Sequence, residues 1–160
     1  MMFTDAPRIG KEQIDGVLKA KADIVVAIDF PFWFAYGFVG GEELKAREAK
    51  FDEGLAMLEK LTMPVLIGDM PDMQGAAQRM LKPAQTPSPD VLGKLNEKLR
   101  GFVAAHKNMR LVPLSKFVAG MKGLAGGKRR AAVDEVLAGC GLADVGKRPA
   151  GNLSKGYRQR

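Results

Sequence analysis

Cysteine, histidine and tryptophan occur once each in 160 residues. No apolar run approaches the length that crosses a bilayer. With Cys140 alone, an internal disulfide and a cysteine-rich metal site are excluded, and its AGCG setting suits a small buried residue better than a nucleophile. The opening MMFTDAPRIGKEQ lacks the basic and then apolar pattern of a secretory leader. A complete chain of this kind is expected in the cytoplasm; a missing N-terminal segment would make it exported. No serine stands in a GxSxG elbow or a GDS turn, since Ser88, Ser115 and Ser154 occupy PSP, LSK and LSK. Ser88 and Ser115 read as helix caps. GGKRR at 126–130 has neither Walker spacing nor a strong strand before it, so no phosphate-cradling loop is expected. Neither a cofactor nor a metal is called for.

What is present describes an ordinary folded domain. An apolar fraction of 46% beside 27% charged residues excludes a disordered or membrane class. A chain of this length buries roughly two-thirds of the surface its unfolded form exposes. Charge is split unevenly: residues 1–100 hold 13 Lys/Arg against 15 Asp/Glu, giving −2, whereas residues 101–160 hold 12 against 3, giving +9. The division drawn from this is an α/β domain over 1–125 and a basic, glycine-rich segment of uncertain order over 126–160.

Within the first part, Ile14, Val17 and Leu18 predict a helix over 10–21. DIVVAID reads as a strand covered on both faces, because it is short, β-branched and does not alternate. FPFWFAYGFVGG is expected as a long loop before a helix over 42–61. MPVLIGD is a second strand, opened by proline. A short helix over 72–81 and the loop KPAQTPSPD follow, and Ser88, Pro89 and Asp90 start a helix of wide apolar face. MRLVPL is a third strand, and Ser115 caps a helix over 116–124. Helix and strand alternating three times predict a parallel sheet between helices, a three-layer α/β sandwich.

Open parallel sheets bind ligands beyond the carboxyl ends of their strands. Three loops qualify: Asp29 to Gly41, Gly68 to Met73, and Ser115 onward. The expected crevice lining is Asp29, Phe32, Trp33, Tyr36, Asp69 and Asp72. The rings at 30, 32, 33, 34 and 36 divide between capping the sheet and forming an apolar wall for an acyl or other greasy ligand. Asp29, Asp69 and Asp72 read as strand-end acids that could also share a cation or raise one another's pKa. His106 is the sole candidate for a general base. Its place at a helix end just before the third strand sets it at the opposite edge of the sheet.

VVAIDFPFWFAYG, the helix containing LEKL, PVLIGDMPDM, PSPDVLGKLNEKLRGFV and RLVPLSKFV together resemble a bacterial branch of the SGNH/GDSL hydrolases over about residues 10–120. That resemblance implies a flavodoxin-like three-layer fold and ester hydrolysis by a serine with a histidine base. The functional blocks depart from the family pattern. The GDS block and its strand, the first of the family's sheet, are missing; IDFPFW offers no asparagine for the Gly-x-Asn-Asp block; and Asp144 is followed by VGK where Asp-x-x-His belongs. The resemblance therefore implies an esterase-like domain that binds or acts on an ester or acyl ligand and is catalytically incomplete, as a fragment, a product of a disrupted reading frame or a diverged non-catalytic relative. A homodimer through the sheet edge exposed by the missing strand is expected. The alternative is a non-enzymatic α/β binding module whose basic C-terminal third contacts nucleic acid or an acidic partner; only Tyr157 is there to stack on bases.

Overall fold

The computed structural model describes residues 5–74, 81–122 and Ala131. The chain divides into two compact units, residues 1–118 and 119–160, and the described residues belong almost wholly to the first. The boundary expected after residue 125 lies outside the described residues, as do Cys140, Asp144, Ser154, Tyr157 and most of the helix expected over 72–81.

Among the described residues, five α-helices and three parallel strands make an α/β fold. Helix α1 spans Ala6–Ala20, with Pro7 in the first turn, where its missing N–H is one the helix could not use. It ends at Lys21, whose φ of 52° and ψ of 47° are left-handed. Strand β1, Val25–Ala27, pairs with β2, Val65–Gly68, which pairs with β3, Met109–Val112. The order is β1-β2-β3. Between β1 and β2 lie α2, Phe30–Ala35, and α3, Glu43–Leu58; α4, Pro89–Ala105, joins β2 to β3, and α5, Leu114–Lys122, follows.

The aromatic segment expected as a loop therefore opens as a helix. Pro31 sits in its first turn, and Phe30 and Phe34, four apart, turn one face into the core with rings 5.1 Å apart. Phe34 is tightly held, since a Cβ on Gly54 would stand 2.6 Å from its ring and one on Gly10 would stand 2.9 Å away. Glycine at both sites lets α1 and α3 approach the ring.

Strand order decides which sheet face is covered. Successive right-handed crossovers from β1 to β2 to β3 put α3 and α4 on the same face, and α1, α3 and α4 pack side by side. Val25, Ala27, Val65, Ile67, Met109 and Leu111 point into that layer and join Phe51, Leu58, Leu95 and Leu99 in one core. Their neighbours alternate to the other face, where Val26 is 64% exposed and Arg110 is exposed. DIVVAID is thus covered on one face along β1, not on both, since Val26 on the second face stands open to solvent. At the carboxyl end of that second face Leu114 stands over Gly68, leaving no room for a Cβ.

Candidate functional site

The three loops at the carboxyl ends of the strands are tied to one another. Asp69 follows the last residue of β2 and is 5% exposed. Its own N–H donates to Val112 O of β3 at 3.0 Å. Its Oδ1 accepts the Ser115 backbone N–H at 2.7 Å, and its Oδ2 accepts the Ser115 hydroxyl at 2.5 Å. Helix α5 begins one residue before Ser115. Ser115 therefore stands inside the first turn and does not cap it; Asp69 supplies an acceptor to the orphan N–H from another strand. Ser88 does occupy the N-cap of α4, but without a side-chain hydrogen bond to the helix. Its backbone N–H instead donates to Glu43 Oε1 at 3.1 Å.

Met70 is held at both polar groups by Asn96 of α4: its N–H donates to Oδ1 and its carbonyl accepts from Nδ2, each at 2.8 Å. Asn96 is buried, and sequence reading passed it over within the apolar face of Leu92, Leu95 and Leu99. A polar residue in such a face was the available signal, since buried amides need partners. Pro71 O accepts the Tyr36 hydroxyl at 2.7 Å. Tyr36 is fully buried, and burial pushes its phenol up to about 12, with the nearby Asp72 charge acting in the same direction.

The six expected lining residues thus have different environments. Tyr36 and Asp69 are buried ties within the scaffold. Phe32 and Trp33 are half-buried: Phe32 stacks on Tyr36 at 4.1 Å and meets Trp33 edge-on at 5.6 Å. Asp29 is exposed at the start of α2 and accepts the Trp33 indole N–H at 3.0 Å. Asp72 is exposed, and its Oδ1 accepts the Gln74 N–H in a local turn. Each carboxylate has its own partner, and among the described residues no group of three His, Cys, Asp or Glu side chains is placed to hold a metal ion.

A further set of residues fixes the far end of the aromatic segment. Arg47 of α3 is 1% exposed; its Nη1 donates to the carbonyls of Ala35 at 2.7 Å and Gly37 at 3.1 Å, and its Nε to Glu43 at 3.1 Å. Lys50 Nζ donates to Tyr36 O at 3.1 Å, and burial, followed by the Arg47 charge, holds the ammonium below its ordinary pKa. Burial would raise Glu43, but hydrogen bonds from Arg47 and the Ser88 backbone, with the Arg47 charge, hold it below the usual carboxylate value. These residues close α2, so Phe32 and Trp33 are presented from a rigid turn.

His106 ends α4 ahead of β3, at the amino end of that strand, and its Nδ1 lies 2.7 Å from Phe102 O. That is the opposite edge of the sheet from Asp69 and Ser115. A groove of about 440 Å³ runs between α1 and β1, lined by Ile14, Val17, Ala20, Val25 and Phe30, and reaches Asp29. The arrangement can receive an apolar chain beside β1 and place a polar group at Asp29 and Trp33. No family model, curated protein or solved structure matches the chain.

Proposed function

We propose that this chain is an SGNH-like hydrolase scaffold that holds an ester or acyl ligand at the carboxyl edge of its sheet, without a complete catalytic set among the described residues. The observation that carries the reading is the apolar groove ending at Asp29, beside the half-buried Trp33 ring. Apolar grooves with one or two polar groups at the mouth suit amphiphilic ligands, whose chain supplies binding energy and whose head group is oriented. In this reading the fold is the flavodoxin-like three-layer type lacking its first strand, which would lie beside β1.

The chemistry argues for binding rather than turnover. Ser115 is the serine at this edge, and its hydroxyl already donates to the Asp69 carboxylate. A serine nucleophile needs a base of pKa near the working pH that removes its proton as attack proceeds. The single histidine of the chain lies at the other edge. Trp33 is the only tryptophan, so its fluorescence reports the site alone. Titration with decanoate should shift the emission and saturate; an unchanged spectrum through millimolar ligand would remove the acyl site. Intact-mass measurement after fluorophosphonate treatment tests the other half of the reading. No adduct is expected, and a stoichiometric adduct on Ser115 would mean that the serine is active.

A further inference from the structure

Among the described residues that line the groove between α1 and β1, Asp29 is the one charged side chain and Gln13 the one other polar side chain. Asp29 stands exposed at the N-cap of α2, yet its carboxylate caps no backbone N–H of that helix. Its Oδ2 accepts the Trp33 indole N–H at 3.0 Å, which sets the direction of the carboxylate. Its Oδ1 takes no hydrogen bond among the described residues. An ionised carboxylate is acceptor only, and the indole has a single N–H, already given to Oδ2. The mouth of the groove at Asp29 therefore presents a negative charge and an acceptor oxygen, with no cation among its lining residues.

We propose that the polar group received at Asp29 is a protonated amine, carried on the apolar chain that fills the groove. This rests on the groove reading above and names the head group that reading left open. An ammonium brings three donors and a positive charge, so it suits Oδ1 in both respects. A ligand carboxylate would set acceptor against acceptor and charge against like charge. The start of α2 favours an anion by roughly half a charge at most, less than the full opposing charge of Asp29. Lys19 and Lys21 stand with Ala20 and Ala22 where α1 ends and β1 has yet to begin, at the other end of the groove. The whole chain carries +7, so its net field draws anions. A preference for a cation at this mouth has to come from Asp29.

Trp33 emission of the full chain reads the test. Decylammonium should saturate the response at a concentration roughly tenfold below decanoate, because attraction and repulsion at an exposed carboxylate each change affinity by a few-fold. High salt should narrow that gap. Asp29→Asn keeps an oxygen for the indole N–H and removes the charge. Its emission without ligand should be unchanged, and the gap between the two ligands should close, whereas Lys21→Gln should leave the gap in place. Equal affinities in the unaltered chain, or a gap that survives Asp29→Asn, would overturn the proposal while a saturating response upheld the groove. So would tighter binding of decanoate, and its loss in Lys21→Gln would put the head group at the other end. Butylammonium should need a far higher concentration than decylammonium. Equal binding of those two would leave a bare ion contact without an apolar groove, and no shift with either long-chain ligand would leave neither; each result would overturn both readings.

Discussion

At Tyr36 a single hydroxyl joins the first crevice loop to the second, and its protonation should be visible. The folded phenol titrates near 12 against an ordinary value near 10, because burial disfavours the phenolate. The unfolded chain therefore releases this proton first. The stabilisation is fully present below about pH 10 and is lost as pH rises toward about 12. An ultraviolet titration should show one tyrosine ionising late, and Tyr36→Phe should delete that step; a single ordinary transition for both tyrosines would contradict the burial. Asn96→Ala removes both partners of Met70 from a buried setting and should cost about 2–3 kcal/mol in denaturant unfolding. Gly68→Ala should be at least as damaging, since the new Cβ would meet the Ile28 carbonyl and Leu114 with no flexible backbone to yield.

Among the elements, α2 shows most clearly how local and distant residues divide the work. Phe30, Pro31 and Phe34 favour its helix locally, but its last carbonyls are satisfied by Arg47 and Lys50 from α3. Arg47→Met keeps much of the side-chain volume while removing the donors, and it should lower stability by about 3 kcal/mol because buried carbonyls lose their partner. It should also shift the Trp33 emission, as the turn carrying Trp33 loosens. Glu43 adds a pH signature of the opposite sense to Tyr36. Its folded pKa is depressed, so its contribution is present above its unfolded value and fades as pH falls through the folded one. Acid unfolding of Glu43→Gln should accordingly lose part of its pH dependence. The helix boundaries of α3 and α4 were legible from apolar spacing and the Ser-Pro-Asp start, because periodicity and capping are local. That of α5 was misplaced because its cap, Asp69, arrives from a strand 46 residues earlier.

Across the whole molecule, charge separates the two readings of function. The excess of +9 over residues 101–160 favours acidic partners, whereas the groove at Asp29 is apolar. If the basic third binds nucleic acid, affinity should fall steeply as salt rises and vanish on truncation after residue 120, while the Trp33 response to decanoate persists. Binding insensitive to salt would exclude phosphate contacts as its source. No helix among the described residues is long and apolar enough to cross a membrane.

By itself the sequence determined the α/β alternation, the parallel strands, the place of the crevice loops and the remoteness of His106, because hydrophobic period, turn residues and chain order are local properties. Tertiary structure alone decided which rings are buried and where the carboxylates find partners. Phe32 and Trp33 differ from Tyr36 only in what packs over them. Asp29, Asp69 and Asp72 look alike as strand-end acids, yet one holds an indole, one a helix start and one its own turn. The exposed face of β1 was likewise hidden in IVVAI, since composition reports a preference for burial and only strand order sets which faces receive helices.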